Sequence, residues 1–464
     1  MQTILRKYLF LLITAGSLLT GCKKLVTVDQ PTNQLLTSAV FQNDNTAKLA
    51  VTGMYNNMAN GSLQANRYYT TIIPAMTADE LYFYTNTTLD QYRYNSILAT
   101  DNSNYQIWQE SYQTIYYANA IIEGTQASAG MTESYKNTAI GEARFIRAWL
   151  HFNLLNFYGD VPLITTTNVS ETALAPRTAT ATVYEQIIAD LKDAQTLLDT
   201  ANLKSTNKTR ANKWAATALL ARVYLFTGDW ANAEAQATAV INNTGLYSLY
   251  STAEMNTVFQ ANSKEAIWQL IHQQSTAGYT YLGSQLLPGT STSPKFVLTN
   301  QLLNAFEAGD KRKANWTNTI NVSTTTYYYP NKYKQYTTAT TNIEYLMELR
   351  VAEQYLIRAE ARARQEKTGD AQYDLNAIRN RAGLANTTAT TKDDLLTAIM
   401  KERQVELFTE MGHRWFDLKR TNTIDAVMNA AKPGTWASNA AKYPIPQTAR
   451  NSNVNLGQNE GYSQ

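Results

Sequence analysis

The residues of this chain most able to do chemistry are its carboxylates, and they fall in two places. Asp79 and Glu80 stand side by side ahead of an aromatic cluster, while Glu402, Glu406 and Glu410 recur at every fourth position. Two carboxylates can hydrolyse a glycoside, one protonating the leaving oxygen while the other attacks or activates water. The second set is interleaved with Lys401 and Arg403 and followed by Arg414, Lys419 and Arg420. Cations and carboxylates at helical spacing make ion pairs on or between helices, so this set reads as structural. Asp79 is open to a structural role or to contact with a ligand. The three histidines, His151, His272 and His413, lie far apart and form no HExxH zinc signature, so each reads as structural. No GxxxxGK or GxGxxG loop and no GxSxG elbow occurs, so nothing points to a phosphate site, a cofactor or an activated serine.

Tyrosine is the strongest compositional bias, with 30 Tyr against 12 Phe and 8 Trp. A tyrosine ring has an apolar face and a hydroxyl at its rim, which suits half-buried surfaces and ligand contacts. Charged residues make up 17% of the chain and the net charge is +3, a balance that argues against nucleic acid as a partner. Hydrophobic residues, at 44%, can supply a large core.

The single cysteine, Cys22, follows Arg6 and Lys7, the apolar run Tyr8–Ile13, and the small-residue approach Leu19-Thr20-Gly21. The apolar run is too short to span a bilayer, which takes about 20 residues. A charged start, a short apolar stretch and a small-residue cut are the parts of a signal peptide. With cysteine directly after the cut, residues 1–21 resemble a bacterial lipoprotein signal peptide, in which the thiol takes a diacylglycerol. That resemblance implies a lipid-anchored body on a tether over residues 22–35. With its one thiol used there, the body has no disulfide and no cysteine metal site.

Helical periodicity then dominates. It predicts helices over 105–123, 134–157 and 182–199, the second with a broad apolar face through Phe145, Trp149 and Phe152 and a stop at Tyr158-Gly159. Residues 211–242 read as two helices around Thr227-Gly228-Asp229, with small residues Ala233 and Ala237 that permit close approach, a spacing similar to a tetratricopeptide unit. A weaker copy spans 351–381, turning at Gly369-Asp370. Further helices are predicted over 345–366, 370–381 and 393–410, the last carrying all three of its glutamates on one face. The stretch 243–345 is poor in helical period: Ala266–Leu270 reads as a short strand, Gly278–Gly283 as a loop, and Thr324–Tyr329 as extended chain. Trp108, Trp149, Trp214 and Trp415 fall in helical stripes and are expected in the core.

Several blocks together resemble the SusD/RagB family of outer-membrane lipoproteins. They are Glu142–Trp149 running on to Phe157–Leu163; Pro176-Arg177 with Val183-Tyr184; Leu220–Leu225; Tyr355–Ala361 leading to Ile378–Gly383; Glu402–Leu407 through Arg414–Arg420; and Tyr443–Pro446 with Asn455–Asn459. The resemblance implies an all-α, tetratricopeptide-like helical-repeat scaffold with an irregular, loop-rich ligand-binding part. It divides the body into an N-terminal helical region, 36–242, and a C-terminal region, 243–464. It also implies a surface lipoprotein without catalysis that binds a nutrient, such as an oligosaccharide or polysaccharide, and delivers it to a SusC-like TonB-dependent transporter. The quoted blocks belong to the scaffold, so site residues have to be chosen on physical grounds.

Sugar rings present C–H faces that stack on Tyr and Trp while polar neighbours bond their hydroxyls. Aromatic residues outside helical stripes are therefore the candidates: Tyr82, Tyr84 and Tyr92 after Asp79, Tyr279 and Tyr281 in the Gly-bounded loop, and Trp316 in the irregular region. Arg67, Asn86 and Asn315 are candidate hydrogen-bonding partners. Two other functions stay open at this level, a helical-repeat scaffold that binds only protein and a surface glycosidase.

Overall fold

The computed structural model describes residues 37–60, 62–85, 87–198, 208–271 and 278–463. Cys22, the tether, Asn86 and His272 lie outside the described residues, and so does the side chain of Arg67.

The body is a stack of antiparallel helices. Helices α1 (Asp44–Asn60) and α2 (Ser62–Thr77) lead into α3 (Asn102–Ala127) and α4 (Glu133–Tyr158), followed by α5 (Thr180–Leu197), α6 (Lys213–Thr227) and α7 (Trp230–Ile241). The helical stack resumes with α8 (Val351–Arg364), α9 (Thr368–Arg381) and α10 (Lys392–Glu406), and the chain continues through α11 (His413–Arg420) and α12 (Ile424–Ala431). Each helix from α3 to α8 packs on the one before it, so α7 meets α8 directly although more than a hundred residues of chain separate them. Among the described residues no helix is long and apolar enough to cross a membrane.

Local chemistry sets the helix ends. Asp101 caps α3 by accepting from the Asn104 amide at 2.8 Å, and Thr132 caps α4. Gly159, with φ of 76°, ends α4 where an L side chain would be strained. Gly228, with φ of 77°, does the same for α6, and Asp229 then caps α7. The close pair around Gly228 is thus formed as the small residues require, with Ala233, Ala237 and Val240 fully buried.

The second pair forms too, but its turn is shifted. The chain reverses at Gln365–Lys367, with Glu366 in the left-handed region at φ 63°, and Gly369-Asp370 lies inside the first turn of α9. The predicted helix over 345–366 also begins later, because Leu346–Arg350 forms a strand against Ala266–Leu270. Leu346–Arg350 is buried along its length, so it shows no in-out alternation to set it apart from the helix that follows. The predicted 393–410 helix ends at Glu406, and the chain then turns through Thr409 and Met411, both at positive φ. Glu410 therefore leaves the face that Glu402 and Glu406 share.

Buried ion pairs join the helices. Arg147 of α4 grips Asp190 of α5 at 2.8 and 2.6 Å. Arg222 of α6 holds Glu353 of α8 with two bonds of 2.7 Å, and Arg358 holds Asp374 of α9 at 2.9 and 2.7 Å. Such forked pairs fix helix register as well as contributing energy. The expected structural role of the glutamates is borne out: Glu402 meets Arg312, Glu406 meets Arg312, Arg350 and Arg381, and Glu410 meets Lys332 and Arg350. His151 and His413 are buried as structural residues. Trp108, Trp149 and Trp415 are buried in the core, and Trp214 is partly buried against it.

Candidate functional site

Two small antiparallel sheets stand at the edge of the stack. The first pairs Leu81–Phe83 with Phe296–Leu298, placing Tyr82 opposite Val297 and Phe83 opposite Phe296. The second is the hairpin Thr317–Val322 with Thr325–Pro330, in which Tyr327 faces Ile320 and Tyr328 faces Thr319. Side chains alternate between faces along a strand. Phe83 turns towards Phe296, ring centres 4.7 Å apart, which leaves Tyr82 and Tyr84 on the opposite face. The Tyr84 ring meets the Tyr327 ring edge-on at 4.8 Å, so the two sheets are bridged by aromatic contact.

A cleft of about 630 Å³ opens between these sheets and the chain after α12. Its walls include Asp79, Tyr82, Arg93, Tyr94, Tyr327, Tyr328 and Lys432. Arg93 lies over the Tyr82 ring at 4.5 Å and near the Tyr94 ring at 5.4 Å, an arrangement that fixes both rings. Tyr82 and Tyr327 are half-buried and Tyr94 is 41% exposed, so all three keep ring surface accessible. Burial and the neighbouring Tyr327 raise the Tyr82 hydroxyl above its ordinary pKa; a hydrogen bond with Tyr327 does so at Tyr84. Both phenols are neutral donors at ordinary pH.

The charged floor is held firmly. Asp79 accepts two bonds from Arg414, at 2.8 and 2.7 Å, and is 4% exposed. The Lys432 ammonium donates to the Met76 and Thr77 carbonyls and to Asn95 Oδ1, each at 2.8 Å, closing the end of α2. Burial pulls the Lys432 pKa down to about 7; Asp79 opposes that shift and Arg93 adds to it. Next to Asp79, Glu80 is buried with one oxygen near the Thr409 amide at 3.2 Å, and burial beside Asp79 pushes its pKa up to about 8.

Of the residues proposed from sequence, the structure brings Asp79 and Tyr82 together in this cleft, with Tyr84 beside Tyr327 at its edge. It separates the others. Tyr92 is fully buried, its hydroxyl bonded to Asp101. Trp316 is fully buried as well: its indole donates to the Met255 carbonyl at 3.2 Å, and its ring lies 4.9 Å from Lys332 and 5.4 Å from Arg381. A ring that covers the buried charge cluster has no free face for a sugar, so these two positions depart from expectation. Asn315 bonds the Lys311 carbonyl at 2.8 Å and accepts from Lys334, closing its own helical turn. Tyr279 and Tyr281 are half-buried away from the cleft lining, and Tyr281 begins a helical turn, Tyr281–Leu286, capped by Thr280. The expected loop at 278–283 is thus partly helical. Arg93, Tyr94, Tyr327, Tyr328 and Lys432 were not among the sequence candidates. Tyr327 and Tyr328 lie in the run Thr324–Tyr329 that the sequence marks as extended, and all three of its tyrosines are half-buried. A smaller groove of about 340 Å³ near Tyr105, Trp108 and Tyr112 has no charged side chain in its lining.

Comparison with known proteins gives this architecture its place. Residues 30–225 match the family model described as "Starch-binding associating with outer membrane", and residues 311–462 match the "SusD family" model. The chain belongs to the SusD/RagB family. It is 26% identical to the SusD-like protein P2 of Formosa agariphila, over 99% of this chain and all of that one. It is 40% identical to the starch-binding protein SusD of Bacteroides thetaiotaomicron over 121 residues, which cover 24% of this chain and 21% of that one. Among solved structures, a SusD superfamily protein from Bacteroides vulgatus superposes with TM-score 0.77 at 20% identity, covering 91% of this chain and 100% of the other. A laminarin-binding SusD-like protein superposes with TM-score 0.73 at 25% identity, again covering 91% and 100%. The expected all-α, tetratricopeptide-like fold is the fold these SusD-like proteins share with this chain.

Proposed function

We propose that this SusD-like chain is a lipid-anchored cell-surface protein that binds an oligosaccharide or polysaccharide in the tyrosine-lined cleft and passes it to a SusC-like TonB-dependent transporter. The observation that carries this reading is the pair of accessible rings, Tyr82 and Tyr327, set in one cleft on two short sheets and held by Arg93 and Tyr84. Pre-placed rings lose little side-chain entropy on binding. Two relatives support a glycan as the ligand, one described as starch-binding and one as laminarin-binding.

Binding without hydrolysis suits the cleft better than a glycosidase does. Hydrolysis needs two carboxyl groups about 5–10 Å apart across the bond. Asp79 is the one carboxylate in the lining, and Arg414 occupies both of its oxygens. The test is calorimetry of the purified body against a panel of neutral and acidic oligosaccharides, with chromatography of the recovered glycan. Binding that falls on Tyr82→Ala and Tyr327→Ala, with unshortened glycan, supports the reading. Shortened products, or no glycan bound by the native chain, would overturn it.

A further inference from the structure

Charge in the cleft is lopsided. Of the lining residues, Arg93 and Lys432 are cationic and Asp79 is the single acid. Asp79 is neutralised by Arg414, which approaches with both donors of its fork. Arg93 has no such partner: among the described residues it makes no ion pair, and its guanidinium rests on the faces of Tyr82 and Tyr94. Asp90, three residues earlier on the same short helix, does not pair with it, and Asp101 is taken up by the Gln91 amide, the Tyr92 hydroxyl and the Asn104 amide. On the opposite wall, the acid of α12 is Asp425, which accepts from the Trp436 indole at 2.8 Å. Outside the lining, Lys313 lies 5.8 Å from the ring of Tyr328, donates to the Leu303 carbonyl at 3.5 Å and makes no ion pair among the described residues.

Cations that share a cleft repel one another, and Arg93 adds to the suppression of the Lys432 charge. An arrangement of that sort is relieved by an anion. A guanidinium without a carboxylate partner keeps N–H donors for an anion, and its planar fork matches the two oxygens of a carboxylate or of a sulfate ester. The flanking rings supply the stacking surface that a pyranose needs.

We propose that the cleft takes an acidic glycan, whose carboxylate or sulfate group docks on Arg93 while its rings stack on Tyr82 and Tyr327. The inference rests on the glycan-binding reading and narrows it to a chemical class. It gives Arg93 the role of specificity determinant and the tyrosines that of a platform common to any sugar.

The experiment is calorimetric binding of the native chain to three probes of matched length: oligogalacturonate for carboxylates, chondroitin sulfate oligosaccharide for sulfate esters, and laminarin oligosaccharide as the neutral control. Acidic probes should bind at least about tenfold tighter than the neutral one. That advantage should shrink as salt rises from about 0.05 to about 0.5 M, because screening weakens a partly exposed ion pair. Arg93→Gln should abolish the advantage and Arg93→Lys should restore part of it, with melting curves confirming the fold. Whichever acidic probe keeps the advantage identifies the anion. If the native chain binds the neutral probe as tightly as the acidic ones, or is indifferent to salt, the acidic class is wrong and the glycan reading stands. If it binds none of the three, both are wrong.

Discussion

Arg414 and Asp79 face each other as a parallel fork, Nε to Oδ1 at 2.8 Å and Nη2 to Oδ2 at 2.7 Å, with both side chains largely out of solvent. The pair ties α11 to the residues that lead into the Tyr82 strand, so it fixes the cleft from behind. Removing one partner of a buried pair strands the other charge, at a cost of about 3–5 kcal/mol. Arg414→Met should therefore destabilise the body strongly, and Asp79→Ala with Arg414→Met should be milder than the sum of the single changes. A urea double-mutant cycle measures this. Simple additivity would mean that the fork contributes nothing beyond its separate side chains.

Tyr82→Ala and Tyr327→Ala should each weaken glycan binding by roughly 1–3 kcal/mol, because few aromatic residues carry most of the energy of such an interface. Tyr279→Ala and Tyr281→Ala, which lie away from the cleft lining, should change it less. Calorimetry with parallel thermal melts gives the ranking. The reverse order would move the site to the segment around Thr280.

Trp316→Ala should act on stability and not on recognition. The ring is fully buried over Lys332 and Arg381, and truncating a buried tryptophan costs about 3–5 kcal/mol. Trp316→Phe keeps an aromatic face over the cations and should cost less. A folded Trp316→Ala protein with native stability and no glycan binding would contradict this assignment.

Glu80 should make stability fall as pH rises. Burial beside Asp79 raises its folded pKa to about 8 from 4.5. Between those values the unfolded chain has released a proton that the folded chain still holds, so each step upward in pH favours unfolding. Glu80→Gln removes that dependence. The difference in unfolding free energy between variant and native protein should grow in favour of the variant from pH 5 to pH 8. Parallel profiles from urea melts would show that the carboxyl is ionised in the folded state.

Cys22→Ala should release the chain from the membrane fraction, and mass spectrometry of the native N-terminus should find acyl mass on Cys22. An unmodified thiol in protein that stays at the membrane would remove the lipid anchor from the proposal.

The sequence by itself determined the parts that depend on neighbours in the chain. Helix α4, the turn at Gly228 and the Ala266–Leu270 strand are legible because apolar period, cap and glycine act over a few residues. That Glu402 and Glu406 are structural is legible from the charge pattern around them, but their partners, Arg312, Arg350 and Arg381, come from far along the chain, while the nearby Arg403 and Arg414 pair with Asp417 and Asp79. What lay beyond reach was decided by contacts across long stretches of chain. Leu346–Arg350 is a strand only because Ala266–Leu270 lies beside it, and Glu410 leaves its helix to meet Lys332 and Arg350. Trp316 and Tyr82 look alike in sequence, each an aromatic residue in an irregular region. Only the tertiary structure buries one over a cluster of charges and leaves the other open beside Arg93, because burial is set by what the rest of the chain brings to each ring.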